Sequence, residues 1–130
     1  MIAVDTSALA AILFREAEAE RYAALLQGTV APKLSYATLV ETFIVVAGRT
    51  RRDNSATILE FLEQVGADLV PVDRRQALLA NEAFISFGKG RHRAALNYGD
   101  CFAYALAKSY DLPLLFKGDD FRHTDVRAAL

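Results

Sequence analysis

The 130-residue sequence predicts an α/β fold, a three-layer α/β/α sandwich around a central parallel β-sheet. Three observations support this. Short apolar runs alternate with longer amphipathic or alanine-rich stretches, the pattern of strands separated by helices that cover both faces of a sheet. Glycines close most of the longer stretches, as they do at helix C-termini. No repeat, low-complexity tract or linker divides the chain, so residues 1–130 are expected to form a single domain with volume enough for a real core.

Residues 2–5 read as the first strand and 7–14 as a short helix. Glu16 to Gln27 reads as a second helix, ended by Gly28. Residues 32–35 form a weak, short strand, and Tyr36 to Ala47 a strongly apolar helix stopped at Gly48. Asn54 to Val65 is amphipathic, with Ile58, Leu59, Phe61, Leu62 and Val65 on one side and Gly66 past its end. Asp68 to Asp73 reads as a strand, and its Pro71 marks a sheet edge or a strand end. A helix from Arg75 to Phe87 closes at Gly88, and residues 88–93 form a flexible loop. A helix from Gly99 to Tyr110 and a strand over 112–116 follow. The polar tail from Asp119 to Leu130 carries a turn and a last short element.

Composition narrows the function classes. No apolar run approaches the roughly 18 residues that span a bilayer, and no basic leader precedes the first strand, so neither a membrane span nor a signal peptide is expected. The one cysteine, Cys101, cannot form an internal disulfide, which fits a cytoplasmic protein. Within its alanine-rich helix it reads as a buried, inert thiol. Two histidines and one cysteine offer no zinc spacing. The net charge of −1 gives no global attraction to nucleic acid. Two local clusters are basic: Arg49, Arg51 and Arg52, and then Lys89, Arg91, His92 and Arg93. They read either as solvated turns or as arms for a phosphate backbone, and charge alone does not choose.

The acids are more informative. Asp5 ends the first strand, where it is either a helix cap or an acid at the carboxyl edge of the sheet, the usual ligand position in open α/β folds. Glu41 lies mid-helix with Ala37, Ile44 and Val45 at helical spacing, on what reads as an apolar face. Asp100 opens a helix, as caps do, yet Ala103, Tyr104 and Ala107 place it above a face that should be buried. Asp119 and Asp120 follow the last strand, in a plain turn or again at the carboxyl edge. Unit charges about 5 Å apart repel by roughly 3 kcal/mol at an effective dielectric of 20, so such a cluster calls for protons or a cation. Hard oxygen ligands without histidine or cysteine point to Mg²⁺ or Mn²⁺, and Thr6 and Ser7 could orient a water or a phosphate oxygen. Such a cation suits attack on a phosphodiester without a covalent nucleophile, in keeping with the lack of a plausible Ser-His-Asp or Cys-His set.

Asp5-Thr6-Ser7-Ala8-Leu9, Glu41 in its apolar helix, Asn97-Tyr98-Gly99-Asp100-Cys101 and Lys117-Gly118-Asp119-Asp120-Phe121 resemble a PIN-domain ribonuclease. More narrowly, the chain resembles the VapC toxins of type II toxin–antitoxin pairs, over essentially its whole length. The resemblance implies a PIN-like fold and a Mg²⁺- or Mn²⁺-dependent endoribonuclease that hydrolyses RNA through metal-activated water. It also implies a homodimer held inactive by a cognate VapB-type antitoxin, with DNA contacted only indirectly through that antitoxin. Asp5, Glu41 and Asp100 match the metal-binding acids, and Asp119 or Asp120 supplies a fourth. Thr6 or Ser7 matches a small hydroxyl position near the metal, and the Asp5 helix cap then passes to these two residues. Arg91 and Arg93 fall in a loop assigned to RNA contact. The alternatives are a non-catalytic PIN-type RNA-binding or assembly module and, more distantly, a phosphoryl-accepting receiver-like domain, in which Glu41 would have no role. Apolar residues of the early helices, Leu13, Phe14 and Tyr22, and of the 58–65 segment could serve a dimer, an antitoxin or the core, with core preferred.

Overall fold

The computed structural model describes residues 1–130. Strand β1 (Ala3–Val4) pairs in parallel with β2 (Lys33–Ser35) on one side and β4 (Leu114–Leu115) on the other. Strand β3 (Asp68–Val70) pairs in parallel with β2, giving the order β3-β2-β1-β4. Successive residues of a strand point to opposite faces, and the core divides accordingly. Ala3 and Leu114 join one apolar cluster; Ile2, Val4 and Leu115 join another. Helices α5 (Arg74–Phe87) and α6 (Tyr98–Ser109) pack on the first face. Helices α1 (Thr6–Leu13), α2 (Ala19–Gln27), α3 (Tyr36–Thr50) and α4 (Ser55–Gln64) supply the second. The three predicted layers are present, and no helix is long and apolar enough to cross a membrane.

The topology positions the site. From β1 the chain works outward through β2 to β3, then returns to lay β4 on the other side of β1. That reversal opens a crevice at the carboxyl ends of β1 and β4, where open α/β sheets hold ligands. The residues leaving these two strands are Asp5 and the segment Phe116 to Asp120.

Several boundaries differ from the sequence reading. The short β2 is central rather than marginal, because β1 and β3 both pair with it. Helix α3 runs through Gly48 and ends at Thr50, with Arg51 in the left-handed conformation (φ 64°) at its C-cap. A Cβ at Gly48 would meet nothing, so this glycine neither breaks the helix nor makes a close contact. Residues 16–18 form a turn before α2. In α4, Ile58 and Leu62 are buried and Val65 at its C-cap is too, while Leu59 is exposed. Strand β3 ends at Val70 on the sheet edge, just before Pro71, as the proline implied.

The segment 88–93 is no free loop. Lys89 N–H donates to the Leu96 carbonyl and Leu96 N–H to the Phe87 carbonyl, both at 2.9 Å. Ala94 and Leu96 are fully buried and anchor it from below. The tail forms a 3₁₀ turn (Asp120–His123) and then returns to β4, where Leu114 N–H donates to the Arg127 carbonyl at 2.8 Å. Tyr22 is core, its hydroxyl donating to the Phe116 carbonyl at 3.2 Å, and Leu13 and Phe14 pack partly buried beside it.

Candidate metal centre

Asp5 takes an extended backbone at the N-cap of α1, and its Oδ2 accepts the Ser7 N–H at 3.0 Å and the Ser7 hydroxyl at 2.6 Å. Asp5 is therefore the helix cap itself. The expectation that Thr6 and Ser7 take over the capping is corrected: Thr6 is already helical, and only the residue before it has the geometry to accept from the first turn. The other oxygen, Oδ1, is buried without any partner. Asp5 is only 3% exposed. Burial pushes its carboxyl up to about 7 against the pull of the Ser7 hydrogen bonds, and the charges of Asp100 and Glu41 push in the same direction. One oxygen caps a helix; the other is left for a ligand.

Asp100 also serves two ends. Its N–H donates to Asn97 Oδ1 at 2.9 Å and its Oδ2 accepts the Asn97 N–H at 3.0 Å, a reciprocal capping box that starts α6. Ala103, Tyr104 and Ala107 below it are buried, as their spacing predicted. Burial raises its carboxyl to about 6 despite the Asn97 bond, and the charges of Glu41 and Asp120 add to the rise.

Glu41 arrives differently from expectation. The apolar residues around it face outward, with Val40 at 53% and Ile44 at 66% exposed. The buried side of α3 carries Leu39 and Val46 together with the hydroxyls of Thr38 and Thr42. Glu41 lies at the rim between these faces, where the Thr6 hydroxyl donates to its Oε1 at 2.6 Å. Thr6 in turn accepts from the Thr42 hydroxyl at 3.2 Å.

The charges of Glu41 on α3 and Asp100 on α6 thus reach Asp5 at the head of α1. That of Glu41 also reaches Asp100, and Asp120, rather than Asp119, is the acid after β4 whose charge does so. Asp119 and Asp120 are both exposed. No three of these carboxylates already converge on one point. Glu41 Oε1 and Asp100 Oδ2 are engaged in hydrogen bonds, whereas Asp5 Oδ1 is buried with no partner at all. An all-oxygen donor set, short of compensating positive charge and with one buried oxygen unsatisfied, fits a hard divalent cation.

The remaining predicted residues are spread more widely. The Ser7 hydroxyl, besides donating to Asp5, accepts the Lys117 backbone N–H at 2.9 Å. Arg91 is exposed and its Nε donates to the Ile85 carbonyl at 3.2 Å, which ties it to the end of α5. Arg93 is exposed on the same turn. Cys101 is buried and its thiol is pushed up to about 11, in line with an inert role. Sequence reasoning named Lys117 within a motif but missed that its ammonium pairs with Glu16 at 3.0 Å and Glu18 at 3.3 Å, pinning the β4 exit to the turn before α2. It also missed Gly99, over whose backbone the Glu41 carboxylate lies. Both relationships join residues far apart in the chain, which no local spacing could have announced.

The PIN-domain family model matches residues 2–127. A VapC ribonuclease of Mycolicibacterium smegmatis is 49% identical over 129 residues, covering 96% of this chain and 97% of that protein. The ribonuclease VapC30 of Mycobacterium tuberculosis is 46% identical over 123 residues, covering 95% and 94%. Among solved structures, the fold resembles VapC20 of Mycobacterium tuberculosis, described as a sarcin–ricin loop cleaving toxin, with a TM-score of 0.72 at 18% identity over 98% of this chain and 99% of that one. With the family model spanning nearly the whole chain and relatives at 46–49% identity over almost their full length, the chain belongs to the PIN-domain family and, within it, to the VapC ribonucleases.

Proposed function

We propose that the protein is the toxin of a type II toxin–antitoxin pair, an endoribonuclease that uses Mg²⁺, with Mn²⁺ able to substitute, to hydrolyse RNA phosphodiester bonds. The observation that carries this reading is the buried Asp5 carboxylate, which has one oxygen without a partner and stands within electrostatic reach of Glu41 and Asp100. A bound divalent cation would polarise the phosphate, lower the pKa of a water molecule and offset charge on the leaving oxygen. Asp5, Glu41 and Asp100 would hold it, with Asp120 and Asp119 completing the negative rim at the exit of β4. Thr6 and Ser7 orient the acids, Thr6 through Glu41 Oε1 and Ser7 through Asp5 Oδ2. Arg91 and Arg93, exposed on the turn that leads into α6, are assigned to the RNA backbone, where each neutralised phosphate contributes a salt-dependent increment.

Membership of the VapC ribonucleases supports a VapB-type antitoxin as partner and a cytoplasmic site of action. A homodimer is supported by the outward apolar side chains of α3 and the neighbouring helices. Val40, Ile44, Phe84 and Tyr98 are all exposed and flank two adjoining apolar clefts over Phe102. An Ile44→Asp variant that sediments as a monomer, against a dimeric parent, is the expected outcome.

The test of the activity is cleavage of RNA with Mg²⁺ or Mn²⁺ by the parent protein, Asp5→Asn and Asp100→Asn. Loss of cleavage in both variants is expected. Equal cleavage by all three would remove the acids from the chemistry, and no metal-dependent cleavage by any would leave a non-catalytic RNA-binding module.

A further inference from the structure

Gly99 is the second residue of α6, beside the Asp100 that the site uses. Its backbone is not in the left-handed region, so conformational freedom does not explain a glycine there. Helix propensity argues against it, since alanine is favoured over glycine by about 1 kcal/mol in a helix. Space gives the reason. A Cβ at this position would overlap Glu41 Oε2 and Cδ, and would lie 2.8 Å from Oε1. No other glycine of the chain would set a side chain against a carboxylate.

Glu41 is therefore clamped on two sides. The Thr6 hydroxyl holds Oε1 at 2.6 Å, and the bare Gly99 backbone receives Oε2. Beyond it lie the exposed side chains of Val40, Ile44 and Tyr98, which line the cleft that Glu41 shares. A methyl group at residue 99 is relieved most cheaply by swinging the carboxylate away from α6 and towards that cleft. The fold survives such a rotation because only a side-chain end has to move. The site does not, because the acid leaves its place against Thr6 and against Gly99 in the first turn of α6, the chain neighbour of Asp100.

We infer that Gly99 is a positioning residue for the metal centre: its missing side chain is the cradle that lets Glu41 lie against the first turn of α6. This rests on the reading of Glu41 as an acid of the metal site. The experiment is a cycle of Gly99→Ala, Glu41→Ala and the double variant, read by the thermal stability of each metal-free protein and by Mn²⁺ affinity from calorimetry. Gly99→Ala is expected to stay folded and to lose on the order of tenfold or more in Mn²⁺ affinity, the usual scale for residues that orient a ligand. In the Glu41→Ala background the same substitution is expected to cost no further affinity, because the group it displaces is gone.

If Gly99→Ala instead unfolds the parent, restored folding in the Glu41→Ala background would still identify Glu41 as the obstructed group. The inference is overturned if Gly99→Ala binds Mn²⁺ like the parent, or if its cost is the same with and without Glu41. A Glu41→Ala protein that binds Mn²⁺ normally would instead overturn the underlying assignment of Glu41.

Discussion

The Ser7 hydroxyl holds the Asp5 carboxylate at 2.6 Å while accepting the Lys117 backbone N–H at 2.9 Å. Asp5 follows β1 and Lys117 follows β4, so one small side chain ties the exits of two neighbouring strands together at the crevice between them. Its single proton goes to Asp5, which favours the ionised form of a carboxyl that burial would otherwise keep protonated.

Ser7→Ala removes that proton and strands the Lys117 N–H. The expected cost is ~1–2 kcal/mol of stability, the usual penalty for an unmade hydrogen bond in a part-buried site. The Asp5 carboxyl should then titrate above its present value of about 7, and the acid limb of the RNA-cleavage pH profile should move to higher pH. Thermal melts check the first effect and the pH–rate profile the second. An acid limb that stays in place would show that Asp5 does not set it.

Asp5→Asn tests the electrostatic cost of the centre. A carboxyl raised in the folded protein binds a proton more tightly there than in the unfolded chain. Stability is therefore complete below pH ~4, the ordinary carboxylate range, and is lost as pH rises through about 7. Asparagine keeps an oxygen to cap α1 and carries no charge. Without metal, the variant should match the parent near pH 4 and exceed it at pH 8, by on the order of 2 kcal/mol or ~6 °C. Melting curves of both proteins from pH 4 to 8 measure this, and parallel curves across that range would contradict the elevated titration.

What could be read in the sequence follows from what is local. The strand-end position of Asp5 and the first-turn position of Asp100 are each set within a few residues. Asp5 stands where the chain pattern put it, and Asp100 is the third residue of α6, with Asn97 rather than Asp100 as the N-cap. The helix boundaries were read too literally at Gly48, because an exposed glycine costs α3 less than ending it would. Glu41 was placed in the right helix for an incomplete reason. Apolar neighbours imply a core face, whereas the buried side of α3 pairs its aliphatic residues with threonines, and Val40 and Ile44 are exposed. An exposed apolar helix face and a buried one share one composition, so periodicity cannot separate them. The choice between Asp119 and Asp120 was equally out of reach, since it depends on how the turn after Gly118 aims two adjacent side chains.

Those two acids give a discriminating pair of variants. The Asp120 charge contributes to the rise at Asp100, so Asp120→Asn should let Asp100 ionise at lower pH. NMR titration of the Asp100 carboxyl carbon should show its midpoint falling below about 6 in Asp120→Asn and remaining there in Asp119→Asn. The reverse result would make Asp119 the fourth acid of the centre.

Cation binding must reverse the same energetics. Asp5 and Asp100, at about 7 and about 6, hold protons in mildly acidic solution that a cation has to displace. Near pH 8 both are ionised and repel each other, so Mn²⁺ relieves a strain already present. At a hundredfold excess over its Kd it should stabilise the fold by about 2.7 kcal/mol. At pH 5 two protons compete for the same oxygens, and the apparent affinity should fall on the order of 100-fold or more. Thermal shifts against Mn²⁺ concentration at the two pH values measure both quantities. The pH dependence should shrink in Asp5→Asn, which has one proton fewer to release. An affinity that is the same at pH 5 and pH 8 would place the cation away from Asp5 and Asp100.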